Sequence, residues 1–386
     1  MSRHLKTFKL LAAALLSGVA SSQAQTQAQP PAQPSQAPTL QTVVEGLDSP
    51  WAMAFLPSGK LLISERPGRL HIAALGGKPG PALSGLPAIA AGGQGGLLDV
   101  RLDSDFARNR TLYFCFTEAD SDGGKTKGTA LARARLSEDE RSLSEVRVIF
   151  RQLPKLTGSG HFGCRIIEAP DGQLFMTLGE RFTAMQRAQT LDNHLGKIIR
   201  IGKDGSVPAD NPFVGRASAL PEIWSYGHRN PQGATLDAQG RLWVHEHGPQ
   251  GGDELNLVQR GRNYGWPVIT YGENYGGGKI GDGLSAKEGM EQPVLHWTPS
   301  IAPSGLALLT SPQYGTSWQG SFFIGSLKFR HLERVAVDAA NPPQVTARGK
   351  VLEDVGRLRD VREGPDGLLY LLTEMPGQVQ RLVPGR

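Results

Sequence analysis

The sequence predicts an all-β fold, a six-bladed β-propeller with four-stranded antiparallel blades. Two observations predict it. The 386 residues include 49 Gly and 27 Pro and show no long helical periodicity, which is typical of many short strands joined by turns. In addition, a turn that leads into an apolar strand recurs six times, in four clear copies that end in glycine and two looser ones, at spacings of roughly 50–80 residues.

The repeated turn and strand are clearest in four stretches, "PSGKLLIS" from Pro57, "PDGQLFMT" from Pro170, "AQGRLWVH" from Ala238 and "PDGLLYLL" from Pro365. Looser copies are "NRTLYFCF" from Asn109 and "WQGSFFIG" from Trp318. Glycine supplies the positive φ that such turns need. A β-sandwich or barrel with unrelated glycine turns is the alternative. A propeller also gathers the polar loops between the repeats at one mouth of its channel.

The N-terminus is predicted to lie outside the propeller. A basic start (Arg3, His4, Lys6, Lys9) precedes an apolar run from Leu10 to Ala20 and small residues up to Ala24. This is the pattern of a secretory signal over residues 1–24. The apolar run is shorter than the about 20 residues that cross a bilayer, although an N-terminal anchor is the alternative. Residues 25–39 are then a Pro/Gln-rich linker, and residues 40–386 form the propeller of a periplasmic protein without stable membrane insertion.

Charge and cysteine content restrict the partners. Residues 1–24 carry three Lys/Arg and no acid, so the rest of the chain is nearly balanced and has no long basic stripe. Nucleic acid is therefore excluded as an expected partner. Cys115 and Cys164 are the two cysteines, and whether they form a bridge is left open. No CxxCH motif for covalent haem occurs, so electrons from any redox reaction need an external acceptor.

Two polar stretches contain candidates for acid–base chemistry. His161 lies between glycines in "GSGHFGCR", where an accessible imidazole suits a general base. Glu180 in "LGER" is the candidate carboxylate to fix its tautomer. The alternatives are an exposed loop histidine and an ordinary loop charge.

The stretch "HEHGPQGGDELN" is a candidate for binding metal ions. Strand alternation puts His245 and His247 on one face, but the HExxH zinc pattern is absent. The Gly248-Pro249 step offers carbonyl oxygens, which suit Ca²⁺, and Asp253 and Glu254 suit a second cation. Ordinary turn chemistry and solvated charge are the alternative.

Cations recur on separate loops, at Arg229, Lys328, Arg357 and Arg359. A cluster of fixed cations at one mouth is favourable only if the ligand carries several carboxylates or phosphates. Gln94 adds an amide on another glycine-rich loop. The alternative for Arg357 and Arg359 is that they protect an exposed edge strand against aggregation. Neither a GxxxxGK[ST] nor a Rossmann motif occurs, so a nucleotide is not the expected anion.

Nine stretches together resemble the pyrroloquinoline quinone (PQQ)-dependent soluble sugar dehydrogenases, and most closely their periplasmic aldose sugar dehydrogenase branch. The stretches occur in family order over roughly residues 40–384. They are "GGQGGLLDV", "GHFGCRI", "LGERF", "NHLGKIIRI", "YGHRNPQG", "HEHGPQGGDELN", "GRNYGWP", "FIGSLKFRHLERV" and "GRLRDV". The resemblance implies a six-bladed propeller that oxidises aldose sugars at C1 to lactones, with hydride transfer to PQQ.

The resemblance also implies roles for single residues. His161 matches the general base, Glu180 the carboxylate that orients it, and Arg229 the group that polarises the quinone carbonyl. His228 is interpreted as a supporting residue. The other matches are PQQ contacts at Gln94, Asn230, Lys328, Arg357 and Arg359, carbonyl ligands of a catalytic Ca²⁺ at Gly248 and Pro249, and a second Ca²⁺ site at Glu254 and the carbonyl of Tyr264.

One departure bears on specificity. The glucose-specialised branch has an acidic residue immediately before the base, where this chain has Gly160, and its long insertions are absent. We therefore expect loose specificity among aldoses, in a monomer or homodimer. The alternative functions are a Ca²⁺-dependent propeller lactonase and a non-catalytic sugar-binding propeller.

Overall fold

The computed structural model describes residues 37–121 and 123–385, and their regular structure is almost entirely β-strand. The predicted signal segment and residues 25–36 of the predicted linker lie outside the described residues, and the first strand begins at Thr39. No helix in the described part of the chain has the length and hydropathy that crossing a bilayer requires.

Six four-stranded antiparallel sheets follow one another along the chain, which confirms the predicted propeller. We number these blades 1 to 6. Blades 1 and 2 comprise β2 (Pro50–Phe55), β3 (Leu61–Glu65), β4 (Arg69–Ala73) and β5 (Pro79–Ala82), then β6 (Leu97–Leu102), β7 (Thr111–Ala119), β8 (Lys127–Leu136) and β9 (Leu143–Arg151). Blades 3 and 4 comprise β10 (Ile166–Glu168), β11 (Leu174–Leu178), β12 (Lys197–Ile201) and β13 (Ile223–Tyr226), then β14 (Pro231–Leu236), β15 (Leu242–Glu246), β16 (Asp253–Val258) and β17 (Leu295–Trp297).

Blades 5 and 6 complete the ring. Blade 5 comprises β18 (Pro303–Leu308), β19 (Phe322–Ser326), β20 (Leu332–Val337) and β21 (Val345–Leu352). Blade 6 comprises β22 (Leu358–Glu363), β23 (Leu369–Glu374), β24 (Gly377–Val383) and, from the other end of the chain, β1 (Thr39–Glu45). The described helices are short, an α-helix at Phe106–Asn109 and a 3₁₀-helix at Met185–Gln189.

The six repeated turns lie at equivalent places in the fold, because each leads into the second strand of a blade. The four clearest turns contain Gly59, Gly172, Gly240 and Gly367, with φ between 74° and 79°. In each of these turns the glycine N–H donates to the carbonyl three residues earlier. Glycine adopts this left-handed conformation without the steric cost that other residues meet.

The first strands of the blades surround the channel, and each contacts the first strand of the next blade. They run in one direction, so their starts lie at one mouth of the channel and their ends at the other. The loops between second and third strands reach the same mouth as the starts. We call this the site mouth, because the predicted site residues, except Tyr264 on the loop after β16, come from these loops and starts.

Most first strands contain a bulge near their start. Pairing with the second strand skips one residue or more in blades 1, 2, 4, 5 and 6. The residues skipped are Trp51, Leu98 with Asp99, Gln232, Gly305 and Arg359. A bulge re-aims its side chain, and four of these side chains (Trp51, Leu98, Gln232, Arg359) line a cavity at the site mouth.

Candidate active site

His161 and Glu180 form a buried pair at the site mouth. His161 Nδ1 lies 2.8 Å from Glu180 Oε1, and the two residues are only 3% and 1% exposed. The second carboxylate oxygen, Oε2, is buried without a hydrogen-bond partner among the described residues. A carboxylate at Nδ1 places the proton on that nitrogen and leaves Nε2 as the basic atom.

Several contacts hold the loop that presents His161. Its backbone has a φ of 50°, a strained conformation for a non-glycine residue. Its N–H donates to Gln94 Oε1 at 2.9 Å. The buried Arg181 guanidinium donates to the carbonyls of Gly158 and Gly160, at 2.8 and 3.0 Å, and stacks on the Phe162 ring at 3.9 Å. Because hydrogen bonds enclose the loop on both sides, the imidazole position is fixed before any ligand binds.

A disulfide anchors the same segment, which resolves the question that the sequence left open. Cys164, three residues after His161, is bonded to Cys115 on β7 of blade 2. The bond therefore joins the loop before β10 to the neighbouring blade. Both cysteines are fully buried.

Burial lowers the pKa of His161 below its ordinary value, and the positive charges of Arg229 and Arg181 lower it further. The hydrogen bond to Glu180 acts in the opposite direction and raises the pKa, but does not cancel the effect of burial. The imidazole is therefore neutral at pH 7, which is the form that accepts a proton.

Groups on β15 and on the loop that follows it hold Arg229 in place. Its backbone N–H donates to the buried Glu246 carboxylate, which also accepts from His228 Nδ1 at 2.8 Å. Its guanidinium donates to the carbonyls of His247 and Gly248. Its Nε is buried and has no partner in the described part of the chain. His228 thus holds the Glu246 carboxylate that binds the Arg229 backbone.

Arg357 and Arg359 share one carboxylate. Both Nε atoms donate to Glu374 at the end of β23, at 2.7 and 2.6 Å. Arg359 also donates to Gln232 Oε1 at 3.0 Å. Burial lowers the pKa of Arg359, and Glu374 opposes this shift. Two cations facing one anion leave a net positive charge, in the direction the sequence predicted.

A third arginine joins these two in the lining of the cavity. Arg66 follows β3 and its guanidinium donates to the Gly93 carbonyl at 3.2 Å. Gln94, Asn230, Arg357 and Arg359 also line this cavity, together with Gln232 and Trp51. Lys328 is exposed on the loop after β19, next to the lining residue Leu327, with its ammonium 5.0 Å from the Phe329 ring centre. The sequence interpretation missed Arg66 and Gln232, although Gln232 lies within the motif that carries Arg229.

The predicted metal ligands lie among other groups in this structure. The Gly248 carbonyl accepts from Arg229 Nη1 at 2.7 Å, and buried Pro249 lies next to Gly272. Glu254 faces Glu246 across β15 and β16, and burial together with that carboxylate raises its pKa to about 8. Tyr264 stacks on His228 at 4.7 Å, and its hydroxyl bonds Gln259 and Leu257. No cluster of three His, Cys, Asp or Glu side chains suited to a metal occurs within 37–121 and 123–385.

Two exposed aromatic side chains stand beside the His161–Glu180 pair and Arg229. Phe182 and Tyr275 are 52% and 63% exposed and stack with ring centres 6.2 Å apart. The Phe182 ring meets His161 edge-on at 4.8 Å, and the Tyr275 hydroxyl accepts from Arg229 Nη2 at 3.4 Å. They provide an apolar wall next to the base.

The fold and this site define a β-propeller enzyme with a buried histidine–carboxylate pair beside a cation-lined cavity. The chain belongs to the Glucose / Sorbosone dehydrogenase family, whose profile matches residues 47–381. This confirms the family and the oxidoreductase class that the motifs predicted. The chain is 44% identical over 350 residues to the protein named Aldose sugar dehydrogenase YliI of Escherichia coli, covering 89% of this chain and 92% of that one.

Solved structures agree with this assignment. The apo-form of the soluble aldose sugar dehydrogenase of E. coli superposes with a TM-score of 0.85 at 42% identity, covering 90% of this chain and 100% of the other. The PQQ-bound form of an aldose sugar dehydrogenase from Streptomyces coelicolor superposes with a TM-score of 0.74 at 30% identity, covering 91% of this chain and 99% of the other.

Proposed function

We propose that this protein is a periplasmic quinoprotein that oxidises aldose sugars at C1 to lactones, using PQQ and Ca²⁺ and passing electrons to an external acceptor. The observation that carries the proposal is the juxtaposition at the site mouth. A neutral, buried histidine held by a carboxylate lies beside a cavity lined by three arginines. Relatives whose names state aldose sugar dehydrogenase activity and a PQQ-bound structure support it.

The residues present fit PQQ, a planar quinone with three carboxylates. Arg66, Arg357 and Arg359 line the cavity, and the only carboxylate that Arg357 and Arg359 bind within the described residues is Glu374. The buried, unpartnered Nε of Arg229 offers a further donor. Arginine forks match carboxylates in two-point contacts. Gln94 and Asn230 supply amide groups for the polar edge of the quinone.

Calcium fits only together with the cofactor. The Gly248 and Pro249 carbonyls are suitable oxygens, but the first already accepts from Arg229. Because Ca²⁺ takes six to eight oxygens, these two carbonyls need oxygens from PQQ and water to complete the site. For the second cation, Glu246 and Glu254 form a facing pair of acids, and both lie beside Asn256, whose Oδ1 has no partner among the described residues.

The chain's own groups then have distinct tasks. His161 Nε2 takes the proton of the anomeric hydroxyl, while Glu180 holds Nδ1 and stabilises the imidazolium that forms. The Arg229 guanidinium, fixed by the His247 and Gly248 carbonyls, presents positive charge where an oxyanion develops. When bound, PQQ supplies the hydride acceptor and Ca²⁺ acts as a Lewis acid on it.

The sugar site is open, in accordance with the predicted loose specificity. Gly160 presents no side chain, and a methyl group placed there would have Phe182 Cβ as its nearest neighbour, at 3.6 Å. Phe182 and Tyr275 offer flat surfaces for any pyranose, without selecting one hydroxyl pattern. We propose the same site for several aldoses, in a protein that is a monomer or homodimer.

The test is reconstitution of purified apoprotein with PQQ and Ca²⁺. We expect dye-linked oxidation of several aldoses, and reduction of the bound quinone spectrum by sugar in the absence of dye. His161→Ala should retain PQQ binding and lose roughly 10²–10⁴-fold in kcat, because the general base is removed.

The control is His194→Ala, which removes a histidine of similar burial that binds Glu222 away from the cavity. It should leave kcat unchanged in protein that remains folded. Absence of PQQ binding, or of turnover with every aldose tested, contradicts the proposal. Hydrolysis of a sugar lactone without PQQ would instead identify the lactonase alternative.

A further inference from the structure

The opposite mouth of the channel contains a second charged cavity. It has a volume of about 640 Å³ and is lined where the first strands of blades 1, 2 and 6 end. Arg101 on β6 and Arg362 on β22 contribute its cationic groups. Met53, Phe55, Leu102 and Pro365 contribute apolar surface.

A buried charge network separates this cavity from the site mouth. Arg165 and Arg362 both bind Asp99 and Asp360, the former at 3.4 and 3.0 Å and the latter at 2.8 and 2.9 Å. Both aspartates are about 1% exposed or less. Two cations and two anions compensate each other there, so the network has no net charge. A ligand of the second cavity is therefore distinct from the ligands of the site mouth.

Arg101 takes no part in the ion pairs of this network. On β6 it follows Asp99 by two residues, so strand alternation points it into the channel on the same side. Within 37–121 and 123–385 its guanidinium has no hydrogen bond or ion pair, and its Nε is buried. Burial lowers the pKa of Arg101, and the neighbouring Arg362 lowers it further.

The carboxylates around Arg101 are already engaged. Asp99 holds two other arginines, and Glu168 holds Lys203. Glu363, which lines the cavity, accepts from the backbone of Thr310 and Ser311. A partly buried cation without a partner in the described part of the chain costs stability, because the hydration it loses is not replaced by another group. An anion from solution is the partner that would offset this cost.

The geometry points to an oxyanion site at this mouth, in which Arg101 binds a phosphate-like group beside Arg362. A guanidinium fork matches two oxygens of such a group. The cavity is much larger than inorganic phosphate, and its apolar lining suits an organic portion. The ligand class is therefore an oxyanion, either free or as the end group of a small organic molecule.

The experiment is anion titration of the purified apoprotein at constant ionic strength, followed by calorimetry and thermal unfolding. Inorganic phosphate and phenyl phosphate are the probes, with chloride as the background anion. We expect one-to-one binding of phosphate and a rise in Tm on saturation. Tighter binding of phenyl phosphate identifies an organic ligand, whereas equal binding identifies the free ion, and either result supports the site.

Arg101→Met distinguishes a binding residue from a structural one. It should raise Tm without phosphate, because a partly buried cation that has no partner among the described residues is removed, and it should weaken phosphate binding at least tenfold. Arg101→Lys keeps the charge without the fork and should bind more weakly than wild type. Arg135→Gln, which removes an exposed charge from β8 of the same blade, should change neither quantity.

Two results overturn the inference. One is a wild-type protein that binds neither probe above the chloride background. The other is an Arg101→Met protein that melts at a lower temperature and still responds to phosphate like wild type. The measurement needs neither PQQ nor sugar, so its outcome does not depend on the proposed dehydrogenase activity.

Discussion

At the scale of single residues, the protonation of His161 is set by opposing effects. Burial and two arginines lower its pKa, and Glu180 raises it through a 2.8 Å hydrogen bond. Because its pKa is lowered, His161 stays neutral at pH values at which an ordinary histidine becomes protonated. On the proposed role of His161 as general base, activity should therefore rise with pH along a limb centred below 6.5 and level off above it.

Glu180→Gln separates orientation from charge. The glutamine oxygen still accepts from Nδ1, but the negative charge that raises the pKa of His161 is gone. We expect the acidic limb of kcat/KM to move to lower pH and kcat to fall roughly 10²-fold, because the imidazolium loses its counter-ion. Activity of the PQQ-loaded variant should be measured from pH 4.5 to 9.

Glu222→Gln is the matched control, because Glu222 holds His194 at 2.7 Å away from the cavity. Its activity profile should coincide with that of wild type. A limb in Glu180→Gln that moves to higher pH, or a kcat equal to that of wild type, contradicts the assigned role of Glu180.

The sequence indicated those residues whose type alone suggests chemistry, but not those that act through backbone groups. His161, Glu180 and Arg229 lie in unusual glycine-rich motifs, and the structure brings them together. Arg181 was not predicted, because its partners are carbonyls of Gly158 and Gly160, about 20 residues upstream. No side-chain pattern in the sequence signals an arginine that binds main-chain oxygens of a distant loop.

At the scale of elements, the turns could be read from the sequence and the bulges could not. A tight turn before an apolar strand, in most copies with glycine, is a local pattern, and all six copies lead into second strands. The bulges depend on how first strands pair with second strands, which is a property of register. The side chains of Gln232 and Arg359 line the cavity because each residue is a bulge in the pairing of the first strand with the second. A shift of the strand register by one residue would point both side chains away from the cavity.

Gly305 tests the contribution of a bulge to the site. It is the residue of β18 that the pairing with β19 skips, and its φ is 69°. A Cβ atom at this position would clash with the backbone nitrogen of Val361 on β22. It would also lie 2.7 Å from the Cα of Asp360 on the same strand. We expect Gly305→Ala to lower the free energy of unfolding by at least about 3 kcal/mol, from backbone strain and overpacking together. It should also weaken PQQ binding, because Arg359 lies on the displaced strand.

Gly315→Ala provides the comparison, since Gly315 has a φ of 83° and no atom within 4 Å of the position that an added methyl carbon would take. It should lower the free energy of unfolding by only about 1–2 kcal/mol, the cost of the left-handed conformation. Urea denaturation of the two variants would measure both free energies of unfolding. Equal costs for the two substitutions would show that the close approach of blades 5 and 6 contributes nothing.

At the scale of the whole molecule, the ring is closed by a strand from the other end of the chain. β1 pairs with β24, so blade 6 contains both the first and the last strands. The number of blades could be predicted by counting turns. The way the ring closes could not, because no local pattern shows that residues near 40 pair with residues near 380.

Closure also explains why a site with residues from many blades keeps its geometry. The pocket uses residues of blades 1 to 6, from Arg66 to Arg359, and each first strand is held by its two neighbours. An open ring would leave blades 6 and 1 free to separate. The distance between Trp51 on β2 and Arg359 on β22, now 5.8 Å from ring centre to guanidinium carbon, would then no longer be fixed.

The role of β1 can be tested by comparing proteins that begin at residue 38 and at residue 47. The longer protein keeps β1 and should unfold as the natural chain does. The shorter one loses Val43 and Val44, which are 5% and 1% exposed in the core between blades 6 and 1. At about 1.5–3 kcal/mol for each buried valine, its free energy of unfolding should fall by about 3–6 kcal/mol.

The protein that begins at residue 47 should also self-associate, because β24 becomes an unpaired edge strand. Urea denaturation and light scattering measure the two effects, and a shorter protein that is as stable and monodisperse as the longer one would show that the ring does not depend on β1.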